Sequence, residues 1–139
     1  MRGAVNIPEF YRALLAGIGP TIFSVLAEDG SIQSSLVWTD FEDGLISISM
    51  LNNAPKLKNL IRNEKATILK VDPDNEDNYI SIRCSLVRVE SEGAIAHQDK
   101  LTFRHYGKEH WYGDVVPEND EERDSQVVVY LKPERVYST

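Results

Sequence analysis

Cysteine is almost absent from this chain: Cys84 is the single one in 139 residues, so no internal disulfide can form and no cysteine-based metal spacing exists. A reducing cytoplasm is the simplest compartment for such a composition. Long apolar runs are missing as well. The longest, such as residues 45–50, are strand-sized and fall far short of the roughly 18 to 20 residues that cross a bilayer. Residues 1–7 lack the basic start and apolar run of a secretory signal, so neither export nor membrane insertion is expected. Basic residues are outnumbered 15 to 22, and the net charge of −7 disfavours generic attraction to nucleic acid or anionic lipid. No glycine-rich phosphate loop, GxSxG elbow or HExxH pair occurs, which removes the usual signatures of nucleotide-binding sheets, serine hydrolases and zinc proteases.

What is present reads as one domain over residues 1–139, with strand-sized segments punctuated by turns. Asn6, with Glu9 three residues on, starts a helical apolar pattern through Phe10, Leu14 and Leu15 that predicts a short helix to about Gly17. Gly19-Pro20 stops it. Residues 21–26 are β-branched and aromatic, and Asp29-Gly30 leads into a second run over 32–39; Asp43-Gly44 then precedes residues 45–50. An Asp-Gly pair between such runs is a hairpin signal, so the spacing predicts three strands in an antiparallel meander. Pro55 near a helix start, with Leu57, Leu60 and Ile61 on one stripe, predicts a second helix. Strands are expected at 66–71 and at 79–90, where the alternation of Ile80, Ile82 and Leu86 loses phase at Val87 and Val89. A helix is expected over 95–106, ended by Gly107, then a long polar connection over 108–125 carrying Trp111 and Tyr112. A last strand over 126–131 is limited by Pro133. About six strands with short helices suggest a small antiparallel barrel.

Four basic residues, Lys56, Lys58, Arg62 and Lys65, cluster at and after the second helix start on an otherwise acidic chain. Ammonium groups beside the free amides of a helix N-terminus suit a phosphate, although a solvated helix face fits the same spacing. Ser47 and Ser49 alternate with Ile46, Ile48 and Met50, so the hydroxyls face a ligand or solvent while the apolar side chains face the core. Trp38 fits the floor of a flat aromatic ligand, a core or an interface. His97 and His105, eight apart, point about 80° from each other on a helix, so with His110 they read as surface histidines rather than as metal ligands. Cys84 within a strand reads as a buried, inert thiol.

In order along almost the entire chain, these segments resemble the pyridoxamine phosphate oxidase-like split-barrel superfamily, and in particular its small flavin- and deazaflavin-dependent branch. Gly30-Ser31 with Leu36-Val37-Trp38 resembles that family's GSPHVVPVW stretch. Residues 56–62 resemble its KxRNLRR helix start, and Asp72-Pro73-Asp74-Asn75 with residues 79–83 its DPDNPYRYVEVRG segment. Residues 112–115 and 127–136 resemble its closing YGDV and RVVVRIxPxRV segments. The resemblance implies a six-stranded antiparallel Greek-key split barrel of the FMN-binding type, forming a homodimer with cofactor sites between the subunits. It implies F420 (a deazaflavin) or FMN as cofactor and hydride transfer to a small organic substrate, with non-catalytic flavin or haem binding, or pyridoxamine phosphate oxidation, as alternatives. Carried over by position, Lys56, Lys58 and Asn59 contact the cofactor phosphate, Ser49 and Asn52 assist, and Val37 and Trp38 lie near the ring. The chain departs from the family at Ala54, where arginine is common, at Leu36 for a proline, and at Cys84 for a glycine.

Overall fold

The computed structural model describes residues 5–139, so the N-terminal expectation lies partly outside the described residues. Helix α1 (Glu9–Leu15) begins after Pro8, whose carbonyl accepts the N–H groups of Tyr11 and Arg12 at 2.9 and 3.0 Å. The remaining elements are β1 (Thr21–Leu26), β2 (Ile32–Leu36), β3 (Thr39–Glu42), β4 (Leu45–Leu51), α2 (Pro55–Asn63), β5 (Lys65–Val71), β6 (Tyr79–Glu90), α3 (Ala94–Tyr106), α4 (Asp120–Ser125) and β7 (Gln126–Ser138). Both hairpin turns form as expected. Asp43 and Gly44, with φ of 55° and 79°, make the two-residue connection that joins β3 to β4 with the twist of the flanking strands.

The described residues contain seven strands rather than six, because the run over 32–39 breaks at Val37-Trp38. They form one antiparallel sheet in the order β2-β1-β5-β6-β7-β4-β3. The expected three-stranded meander is therefore corrected: β2 pairs with β1 and β3 with β4, but β2 and β3 lie at opposite edges. Only Val37 and Trp38 separate these two edges in sequence, and three Cα steps of about 3.8 Å reach at most about 11 Å. The sheet must curl until its edges nearly meet. That curl is the split barrel, and Val37-Trp38 is the bridge across its seam.

Phase breaks in β6 and β7 also have physical causes. Leu86 pairs with Leu131 and Arg88 with Tyr130, which leaves Val87 as an extra residue and explains the lost alternation. Pro133 does not end β7. It pairs with Cys84 beside a second irregularity, since Arg83 pairs with Arg135, and there a missing N–H is tolerated. Inside the curl, Phe23, Ile46, Ile48, Ile68, Ile82 and Leu131 are completely or almost completely shielded from solvent. Helix α2 packs against β1, and α3 lies across β7 and β4 on the outer face. The long polar connection after α3 is partly ordered, with Tyr112 bridging to Val116 and α4 closing it.

Near the seam, Lys70 is wholly buried on β5, on the same face as Ala66 and Ile68. Its Nζ donates to Gly17 O and Thr39 Oγ1, both at 2.8 Å, and to Leu15 O at 3.4 Å. One ammonium thus ties the end of α1 to the start of β3. Burial lowers the Lys70 pKa to about 7, with Arg104 lowering it further and Asp40 opposing. Among the described residues no helix is long and apolar enough to cross a membrane.

Candidate functional site

The seam opens into a cavity of about 630 Å³, within the range of small-molecule sites. Five parts of the chain build it, among them Gly19, Pro20 and Thr21 at the entry to β1. The bridge contributes Val37 and Trp38, β4 contributes Ser49, and the first turn of α2 contributes Lys56. Helix α3 and the loop after it add Gln98, Leu101, His105 and Trp111.

Its apolar end is aromatic. The Trp38 indole stacks on His105 with centroids 4.1 Å apart and planes 8° from parallel, while Tyr106 and Trp111 meet it edge-on at 5.3 and 5.7 Å. His105 Nδ1 lies 2.9 Å from Leu101 O, and because a carbonyl can only accept, that nitrogen carries the proton. His105 Nε2 is then a bare lone pair, buried without a partner among the described residues. Burial lowers the His105 pKa ahead of every other influence, so the imidazole is neutral near pH 7 and stacks as an uncharged ring.

The polar end holds Lys56 and Ser49. Lys56 is half-buried, its pKa is lowered by burial, and among the described residues no carboxylate lies within ion-pair reach of it. A second cavity of about 290 Å³ adjoins this end, sharing Ser49, Lys56, Gln98 and Trp111 with the first. Ala54 lines that extension, so the short side chain at this departure from the family pattern leaves room there. Below the helix, Asp40 anchors α3: it is 2.8 Å from Lys100 Nζ and 3.0 Å from Arg104 Nη1. Burial acts to raise the Asp40 pKa, but these hydrogen bonds and one from the Phe41 N–H outweigh it and hold the carboxyl below its ordinary value.

No protein-family model matches the chain, and no curated protein matches it in sequence. Solved structures do. An F420 reductase superposes with a TM-score of 0.80 at 20% identity, over 94% of this chain and 98% of that one. A candidate pyridoxamine 5′-phosphate oxidase from Listeria innocua gives 0.68 at 14% identity, over 94% and 95% of the two chains. The fold is that of the pyridoxamine 5′-phosphate oxidase-like split barrels. An FMN-binding protein from Syntrophomonas wolfei shares it, with a TM-score of 0.66 at 14% identity over 92% of this chain and 82% of that one.

Of the residues singled out from sequence, this split barrel brings four to one cavity: Val37, Trp38, Ser49 and Lys56. The others lie elsewhere in the single chain. Lys58 and Asn52 are exposed, and Asn59 turns toward β2, donating to Gln33 Oε1 at 2.8 Å and accepting from Arg62 at 2.9 Å. Lys56 and Lys58 differ by two positions on a helix, about 200° around its axis, so both cannot face one pocket of one subunit. The surface reading of the histidines is corrected for His97, which α3 presses onto β4 between two serines: Nε2 is 2.8 Å from Ser47 Oγ and Nδ1 is 2.5 Å from Ser49 Oγ. Ile46, Ile48 and Met50 fill the core on the opposite face, as their alternation requires. Gln98, Leu101, His105 and Trp111 were not singled out as lining residues. Their signal is tertiary, since nothing local shows which face of α3 meets the seam. Cys84 is buried, and burial pushes its thiol up to about 12, with Glu134 contributing, so it is inert at neutral pH. Among the described residues no cluster of His, Cys, Asp and Glu could hold a metal ion.

Proposed function

We propose that this chain holds a flavin-type cofactor, F420 or FMN, in the seam cavity and passes hydride from it to a small organic substrate. The observation that carries the reading is one cavity with aromatic side chains at Trp38 and His105 and, at Lys56, an ammonium without an ion-pair partner among the described residues. The donor set fits such a group. Trp38 and Leu101 meet the faces or edges of a ring system, while Lys56 and the Ser49 hydroxyl meet a phosphate by charge-assisted and neutral hydrogen bonds. When bound, the cofactor supplies the electron pair and the acceptor chemistry. The chain's own residues bind, orient and exclude water.

The same reading places the chain in a homodimer. Leu36, 76% exposed beside the cavity, together with exposed Ile32, Phe103 and Tyr106, offers apolar surface that a second copy would cover. It also gives Lys58, Asn59 and Asn52 a role that the single-chain cavity does not. Sedimentation at micromolar concentration should show a dimer, and a monomer would remove the shared-site arrangement.

Equilibrium titration of the purified protein with FMN and with F420 tests the cofactor. Lys56→Ala should weaken binding of the preferred cofactor by about tenfold or more, the scale of a charged hydrogen bond. Equal affinity in wild type and variant would remove the phosphate from this end of the cavity.

A further inference from the structure

Ser47 and Ser49 lie two residues apart on β4, on the face covered by α3, and one imidazole closes the gap between their hydroxyls. His97 is neutral near pH 7, since burial lowers its pKa to about 4 against a smaller opposing influence of Asp40, with Lys100 and Arg104 adding to the lowering. A neutral imidazole has one N–H and one lone pair, so only two arrangements exist. If Nε2 carries the proton, Ser47 accepts it and its own O–H must find a further acceptor. Ser47 is buried, 5% exposed, and His97 is its side-chain partner among the described residues. A buried O–H would then lack an acceptor, which is costly. If Nδ1 carries the proton, Ser47 donates to Nε2, Nδ1–H donates to Ser49 Oγ, and every proton but one is placed. The remaining one is the Ser49 O–H, on a half-buried side chain that lines the cavity beside Lys56.

We propose that His97 is a positioning residue that donates to one Ser49 lone pair, leaves the Ser49 O–H unspent and thereby makes the hydroxyl a hydrogen-bond donor aimed into the cavity, selecting a phosphate oxygen next to Lys56. The inference rests on the cavity being a flavin-type site, and it adds the device that sets the polarity of its phosphate end. The reverse tautomer would present Ser49 as an acceptor and favour a ligand N–H or O–H there. Ser49 and Lys56 together thus turn two donors toward a phosphate, with one Ser49 lone pair left over.

Two measurements test this. In protein labelled with ¹⁵N at histidine, long-range nitrogen–proton correlations at pH 7 should show His97 protonated at Nδ1 and bare at Nε2, its signals assigned by their loss in His97→Leu. A proton on Nε2, or an imidazolium, overturns the proposal. Inorganic phosphate added to that sample should shift the Nδ1 signal in wild type and not in Ser49→Ala; no shift in wild type overturns it as well. These readouts need no cofactor, so a protein that binds neither FMN nor F420 sinks the functional reading and leaves the His97 assignment to be decided by the spectra.

Where flavin does bind, riboflavin and FMN differ by the phosphate alone. His97→Leu should lower the preference for FMN over riboflavin by about fivefold to tenfold while riboflavin affinity holds. His97→Asn, whose amide N–H can stand where Nδ1–H stands, should keep most of the preference. Adding His97→Leu to Ser49→Ala should cost nothing further, because the residue acts through Ser49. Parallel losses for both ligands, or a further loss in the double variant, would assign His97 a merely structural role.

Discussion

Between about pH 7 and pH 10, wild-type stability is expected to climb relative to a Lys70→Met variant, with a slope of up to about 1.4 kcal/mol per pH unit. The sign follows from proton counts. In the unfolded chain Lys70 keeps its proton to its ordinary value of 10.5, whereas in the fold burial brings the pKa down to about 7. Within that window the unfolded state binds one more proton than the native state, so raising the pH favours the native state. Below about pH 7 both states are protonated and the slope vanishes. The methionine variant removes the amine and the slope with it, and leaves Gly17 O without the donor it has now, while Leu15 O keeps the Thr39 hydroxyl. Denaturant unfolding of both proteins across the range is the measurement, and parallel curves would show that Lys70 titrates near its ordinary value. The site is exposed to the outcome, because Lys70 ties down the segment that leads into Gly19 and Pro20 at the cavity rim.

Trp38→Ala should weaken flavin binding by about tenfold to a hundredfold, from lost aromatic burial plus lost ring stacking of together about 1.5 to 3 kcal/mol. Trp38→Phe, which keeps a ring against His105, should lose less. The chain has two tryptophans, and Trp111 also lines the cavity, so quenching of the remaining indole still reports binding in the variant. Because Trp38 bridges the two sheet edges, its removal tests the fold too, and the unfolding midpoint is read beside the affinity. A folded variant with unchanged affinity would remove the aromatic wall from the site.

Several elements were legible in the sequence because their cause is local. The Asp-Gly pairs need positive φ that few residues adopt cheaply, and they mark real hairpin turns. Alternation over residues 45–50 correctly separates Ile46, Ile48 and Met50 from Ser47 and Ser49, since strand side chains alternate by construction. Even the broken phase after Leu86 was visible, although only the pairing with β7 shows that Val87 is bulged out. The split of residues 32–39 into two strands on opposite edges was not visible. Strand propensity is continuous there, and what breaks the run is closure of the whole sheet. Pro133 misled for a related reason: its lost N–H would end a regular strand, but at an irregular pairing no partner requires it.

The candidate site divides in the same way. Lys56, Ser49, Val37 and Trp38 could be named from residue type and order, whereas His97 and His105 read as surface residues because a helix wheel says nothing about what lies beneath it. Lys70 on a strand could not be expected to be wholly buried, since a lysine takes that place only where three oxygen acceptors from distant segments converge. By itself the sequence determined most of the strand and helix segments, the turn chemistry, the apolar face of β4 and the acidic balance, all of which depend on composition or on neighbours a few residues away. Tertiary structure alone decided which edges meet at the seam, which face of α3 lines the cavity, and which way the Ser49 hydroxyl can point. Those depend on groups tens of residues apart whose hydrogen bonds and burial exist only once the sheet has curled.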